Sequence, residues 1–324
     1  MKVVLDLSRL LRDGKITAEE FDRLSRLAAH DTGSLALNVL IGLGVVAVSG
    51  GLVALLMNEF AVAAIGMALL GAGLAFTYAG ARQWQVLATI FLLVGALMLA
   101  GGIVALGEGR LSSLLLATAV LTGAGIAGRS NLLVALAVLA LSACVGASTS
   151  YWHATYELTV TEPTVTIVLF AALALAAYLA SHRVGGDYEP LALTASRVSL
   201  FLVNFGFWIG SLWGDHLLLV RMLLNHDPSI LTDYTARSLM VPPMAFIVGW
   251  AVALVAVAAW AVKAGRRWVV NLAAVFGTIH FYTQWFERLG ATPGSVLIGG
   301  VLVLAFAIAA WKLNQKSQTA PAAA

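Results

Sequence analysis

An all-α polytopic transmembrane bundle of about ten spans, with a short cytosolic helical hairpin in front of it, is the fold this sequence predicts. Three observations predict it. Of 324 residues, 60% are hydrophobic and 11% charged, with a mean hydropathy of +0.92, a composition that cannot cover a water-soluble surface with polar groups. The apolar residues fall into runs of about 20, the length that crosses a bilayer at 1.5 Å rise per residue. The charged residues collect between those runs, where topology accounts for them.

The same composition excludes several function classes. The net charge of +3 and pI near 9.1 would suit nucleic acid in a soluble chain, but here the basic residues sit in loops, so no nucleic-acid partner is expected. The single cysteine, Cys144, lies in an apolar run, which rules out a disulfide or a cysteine metal cluster within one chain. No signal-peptide core interrupts the charged, amphipathic first 30 residues, so the amino terminus is expected to be retained.

Residues 1–31 form the first unit. VLDLSRLLRDG reads as a short amphipathic helix stopped by Gly14, and Thr17 with Glu20 makes a capping box that opens a second helix, AEEFDRLSRLAA. Gly14, Ile16, Thr17, Glu19, Glu20, Phe21, Leu24 and Leu27 carry a pattern that resembles the short helical hairpin called the SHOCT domain. That resemblance implies a contact element that associates with itself or with a cytosolic protein. The alternative is a capped amphipathic hairpin lying on the inner membrane surface.

The bundle occupies residues 32–314, and residues 315–324 read as a disordered tail. Candidate spans fall at about 34–57, 60–80, 86–106, 111–128, 131–149, 164–181, 192–213, 240–262, 268–286 and 293–312. An even number puts both termini on one side. With that side cytoplasmic, the outer loops keep only Arg110, Arg221, Arg237 and Arg288 of the 19 basic residues, which sets the orientation under the positive-inside rule. Arg197, just inside its span, is expected to reach back to Asp187 or Glu189.

Glycines carry the packing signals. Gly44 to Leu55 matches Gly95 to Leu106, and GAGLA from Gly71 is echoed by GAGIA from Gly123, a weak parallel repeat of helix pairs. Gly206, Gly210 and Gly214 recur every four residues, the small-residue seam that lets two membrane helices approach closely, with Asn204 and Ser211 near enough to bond across it.

Two outer loops hold metal-type residues. The first, from Tyr151, carries His153 and Glu157 and alternates after Tyr156 in the manner of an extended segment. The second, from Asp215 to Ser238, holds Asp215, His216, His226, Asp227 and Asp233 around an apolar run too short to span. On one continuous helix the two histidines would point about 80° apart, so these are read as solvated loop residues rather than metal ligands.

The ninth span, Trp268 to Arg288, is the most polar. Asn271 and Tyr282 share one face with Thr278, while His280, Gln284 and Glu287 share nearly the opposite one, a distribution that suits a helix enclosed by others. His280 lies about 18 Å along the axis from Trp268. One reading makes His280 the titrating group of a proton or cation step, with Glu287 as its partner at the mouth. The other makes Phe281, Tyr282, Trp285 and Phe286 an interfacial aromatic belt.

HFYTQWFERLGATPGSVLIGGVLVLAFAIAAWKLN, together with the polar segment before the first span, resembles an uncharacterised bacterial family of polytopic membrane proteins, a domain of unknown function. The resemblance implies a bacterial inner-membrane location and no activity. No span pairs a serine with a base, no HExxH occurs and no paired aspartates sit at membrane depth, so neither an enzyme nor a cofactor is expected. A membrane scaffold or assembly protein is the first reading, and a small-solute or proton-coupled transporter the second.

Overall fold

The computed structural model describes residues 10–23 and 40–51, with single positions omitted from each, then 58–80, 84–152, 155–217 and 240–319. The chain divides into two compact units, Met1–Cys144 with Leu179–Ala195, and Val145–Tyr178 with Ser196–Ala324.

In the first unit the amino-terminal turn forms as its residues predict. Lys15 N–H reaches the Leu10 carbonyl at 2.9 Å and Gly14 N–H the Leu11 carbonyl at 3.1 Å, with Gly14 at φ +66°, a left-handed conformation that glycine adopts without strain. The capping box is reciprocal. Thr17 Oγ1 accepts from Glu20 N–H at 3.2 Å, and Glu20 Oε2 accepts from Thr17 N–H at 2.9 Å. Residues 1–9 and 24–31 of the expected hairpin lie outside the described residues.

Helices α1 (Glu59–Tyr78) and α2 (Gln85–Leu106) follow. Asn58 caps α1 by accepting from Phe60 N–H at 2.8 Å. The two helices run antiparallel, because Gly66 opposes Leu99, Gly73 opposes Leu92, Gly95 opposes Leu70 and Gly102 opposes Ala63. A Cβ at Gly73 would come within 2.6 Å of Leu92 N, and one at Gly102 within 2.8 Å of Ala63 N. At Gly66 and Gly95 it would overlap the facing backbone outright. Without side chains at these four positions the backbones touch, the contact that substitutes for a hydrophobic driving force inside lipid.

Helix α3 (Leu111–Ala127) and α4 (Asn131–Ala143) complete a core of Leu92, Ala96, Ala100, Ala117, Leu121, Ala124, Leu133 and Ala137. The glycine repeat has a structural counterpart here. Gly73 packs on Leu92 of the next helix and Gly125 on Val134 of the next helix, while Gly71 and Gly123 meet nothing within 4 Å among the described residues. Helix α3 ends in a left-handed Arg129 at φ 50°, whose side chain pairs with Asp187 at 2.6 Å and lies 5.9 Å from the Tyr188 ring centroid. Asp187, one of the two carboxylates expected to meet Arg197, pairs with Arg129.

Helix α4 is also shorter than the expected 131–149. It stops at Ala143, and the chain turns through Gly146 at φ +85° into strand β1 (Ala147–Trp152), which pairs antiparallel with β2 (Thr155–Val160) from Ala147↔Val160 to Trp152↔Thr155. The hydroxyl-rich run Ser148-Thr149-Ser150 suits a strand better than a helix. The extended stretch anticipated after Tyr156 is thus one arm of a hairpin, and every longer described element is a helix.

The second unit contains this hairpin and most of α5 (Pro163–Ser181) and α6 (Glu189–Trp213), then α7 (Pro243–Lys263), α8 (Arg267–Leu289) and α9 (Pro293–Thr319). Prolines 163, 243 and 293 open three of them, in the first turn where a missing N–H costs nothing. Helix α9 carries backbone order to Thr319, into the stretch expected to be a tail.

Among the described residues, five segments are long and apolar enough to cross a membrane: Glu59–Tyr78, Gln85–Leu106, Pro163–Ser181, Gly186–Trp213 and Pro243–Lys263. Their outward faces carry Phe60, Val168, Leu175 and Val255, each at least 60% exposed, as lipid-facing positions require. This is a membrane protein. The expected spans at 111–128 and 131–149 appear as shorter apolar helices, those at 268–286 and 293–312 are the helices α8 and α9, which are not among the five, and the first, 34–57, is described only in part. Hydroxyls within the helices bond back to the preceding turn, as Thr77 does to Gly73, Thr118 to Leu114 and Thr278 to Ala274.

Candidate functional site

Helix α8 buries a single stripe: Val269, Ala273 and Phe276 are buried, and His280 and Gln284 continue the same line at steps of four. This is not the fully enclosed helix that polar residues on both faces suggested. Asn271 is exposed on the other side, Tyr282 is half-buried and stacks on Phe286 at 5.5 Å, and Glu287 is exposed beyond the stripe. Seven residues, about 10 Å of helix, separate Glu287 from His280, too far for a direct pair.

The stripe faces α6 and α7 through aromatic rings. The His280 ring meets Trp250 of α7 edge-on, with centroids 4.8 Å apart and an interplanar angle of 74°. Trp250 is completely buried and donates its indole N–H to Asn204 Oδ1 of α6 at 2.9 Å. Asn204 in turn donates to the Leu200 carbonyl at 2.8 Å. Phe207 lies parallel to Trp250 and Phe276 closes the cluster. Further along, Trp208 donates to Thr283 Oγ1 at 3.0 Å, tying α6 to α8, and Trp285 donates to the Ser295 carbonyl at 3.1 Å, tying α8 to α9. Two enclosed atoms in this region, His280 Nδ1 and Gln284 Nε2, have no hydrogen-bond partner among the described residues.

No family model, curated protein or solved structure matches the chain.

The glycine seam resolves into three different contacts. A Cβ at Gly206 would press on Ile167 and the Pro163 carbonyl of α5 at 2.9 and 3.2 Å. One at Gly210 would strike the Phe246 ring of α7 at 2.5 Å. Gly214 lies past the end of α6, at φ +74°, with its N–H on the Gly210 carbonyl at 2.8 Å. It is a cap rather than a seam position. Residues spaced by four share a face only while the helix continues, and α6 ends at Trp213. Asn204 does bond across a helix interface, as its position suggested, whereas Ser211 bonds within its own helix to the Trp208 carbonyl.

Sequence reasoning missed Asp215. Read as a solvated loop residue, it is 1% exposed. Its Oδ2 accepts from Thr164 N–H at 2.7 Å, its Oδ1 from Leu217 N–H at 2.8 Å, and its backbone pairs with Val241. A carboxylate on the first turn of α5 satisfies an otherwise orphaned amide and complements the helix dipole. The signal available was the Gly-Asp pair directly after a helix, a cap followed by an acceptor. Its neighbour His216 is exposed. His153, His226, Asp227 and Asp233 lie outside the described residues, and among those described no cluster of three metal-type side chains occurs.

Arg197 sets its guanidinium 5.2 Å from the Trp268 ring centroid, replacing the expected acidic partner.

Proposed function

We propose that this chain is a multi-pass scaffold or assembly protein of a bacterial inner membrane, non-enzymatic, that uses residues 1–31 to contact itself or a cytosolic protein. The observation that supports this reading is where the polar side chains of α6, α7 and α8 go. Trp250 to Asn204, Trp208 to Thr283 and Trp285 to Ser295 are hydrogen bonds that hold helices together. The backbone contact of α1 with α2 has the same character. The ten-span topology with both termini cytoplasmic, the family resemblance at the two ends and the SHOCT-like pattern belong to this reading as well.

Deleting residues 1–31 tests it. The shortened protein should keep its helical content and lose the mass of its complex in size-exclusion chromatography with light scattering. An unchanged complex would remove the hairpin from the proposal.

A second reading, a proton-coupled or small-solute transporter, is favoured by one specific observation: His280 Nδ1 and Gln284 Nε2 are enclosed without a partner among the described residues. In a membrane interior such atoms call for a water, an ion or a solute.

A further inference from the structure

The turn between α7 and α8 gathers positive charge onto aromatic surfaces. Lys263 closes α7, Arg266 is the residue before α8 and Arg267 its first residue. Arg266 lies 5.5 Å from the Tyr178 ring centroid, Tyr178 packs edge-on against Trp260, and Arg197 lies 5.2 Å from Trp268. Arg197, Lys263 and Arg267 are exposed, and no carboxylate among the described residues forms an ion pair with them. Stacking on Trp268 fixes the plane of the Arg197 guanidinium and leaves its edge donors available for another acceptor. The first turn of α8 contains no acidic residue and its cap makes no side-chain hydrogen bond, so the amide end of the helix adds to the positive potential.

The place where these groups meet decides what would occupy them. Helix α7 is long and apolar enough to cross a membrane, and Trp260, Trp268 and Tyr178 are the ring types that settle at the headgroup level. Three exposed cations at that level, Arg197, Lys263 and Arg267, match a phosphodiester with apolar chains running down beside the helices. We propose that Arg197, Lys263 and Arg267 form a binding site for the phosphodiester headgroup of an anionic phospholipid.

The test uses the full chain in nanodiscs of phosphatidylcholine alone or mixed with phosphatidylglycerol, with native mass spectrometry counting the lipid that stays bound. Wild type should retain phosphatidylglycerol over phosphatidylcholine. Arg267→Gln, an exposed change outside the packed core, should weaken that preference roughly five-fold, and adding Arg197→Gln should weaken it by a similar factor again. Arg197→Lys, which keeps the charge, should hold an intermediate preference if the double variant does not fold. Arg288→Gln, at the other end of α8, should change nothing. Equal retention of both lipids by wild type would overturn the site. So would a loss in Arg288→Gln as large as in Arg267→Gln, because it would show general attraction. Displacement of the lipid by millimolar inorganic phosphate would assign the site to a free anion and overturn its assignment to lipid.

Discussion

Trp250 and Asn204 are 46 residues apart in the chain and joined by one buried hydrogen bond of 2.9 Å, from indole N–H to amide oxygen. The bond ties α6 to α7 within the second unit. In lipid its rupture leaves an indole donor with no water to turn to, so Asn204→Leu should destabilise the protein by about 1 to 2 kcal/mol. In a Trp250→Phe background the same change should cost much less. Thermal unfolding of the four proteins in detergent measures the coupling, and full additivity would mean the bond contributes nothing.

Gly95 and Gly71 should respond in opposite directions to the same substitution. At Gly95 a methyl group meets the Leu70 backbone, so Gly95→Ala should cost roughly 1 to 3 kcal/mol. At Gly71 it meets nothing within 4 Å, and Gly71→Ala should gain about 0.5 to 1 kcal/mol through helix propensity. Melting temperatures that fall together would contradict the antiparallel register of α1 and α2.

Much of this architecture was legible and part was not, for physical reasons. Helix starts announce themselves through Asn58, Ser130, Pro163, Pro243 and Pro293, whose chemistry acts on the next few residues. The cap at Thr17 and Glu20 is local in the same way. Contacts such as Gly66 with Leu99, or Trp250 with Asn204, depend on register between distant helices, and nothing in the local pattern records that register. Asp215 was misread because a carboxylate after a helix looks the same whether it meets water or the first turn of another helix. Of the candidate site, His280 and Gln284 do share a packed stripe, while the exposure of Asn271 and Glu287 follows from which side of α8 the neighbours occupy.

Asp215→Leu should destabilise the second unit by about 1 to 3 kcal/mol, because Thr164 N–H loses its acceptor at the start of α5. Asp215→Asn keeps an oxygen there and should cost less. The order of the two unfolding midpoints checks the assignment.

Glu108 sits at φ 53° at the end of α2, with Gly109 N–H on the Val104 carbonyl at 2.9 Å. A left-handed non-glycine residue is strained, so Glu108→Gly should stabilise by about 1 kcal/mol, net of the exposed pair with Arg110. A lower melting temperature would show that the pair outweighs the strain.

The Glu20 carboxyl is held below its ordinary pKa, first by the Thr17 backbone N–H and then by the Thr17 hydroxyl. A lowered folded-state value means the cap stabilises fully above the unfolded carboxylate pKa and is lost as pH falls through the folded value. Carboxyl carbon NMR on the intact protein should give a midpoint for Glu20 below that of a free glutamate. Thr17→Val removes the hydroxyl and keeps the backbone N–H, so it should move the midpoint only part of the way back, and a wild-type midpoint at the free-glutamate value would contradict the capping box.

The most direct test of a helix-binding rather than conducting role for α8 is proton flux into liposomes carrying the purified protein, wild type beside His280→Ala. Flux no greater than in protein-free liposomes, from both proteins equally well folded, is the predicted result. A flux in wild type that His280→Ala removes would contradict the scaffold reading and make His280 and Gln284 part of a conduction path.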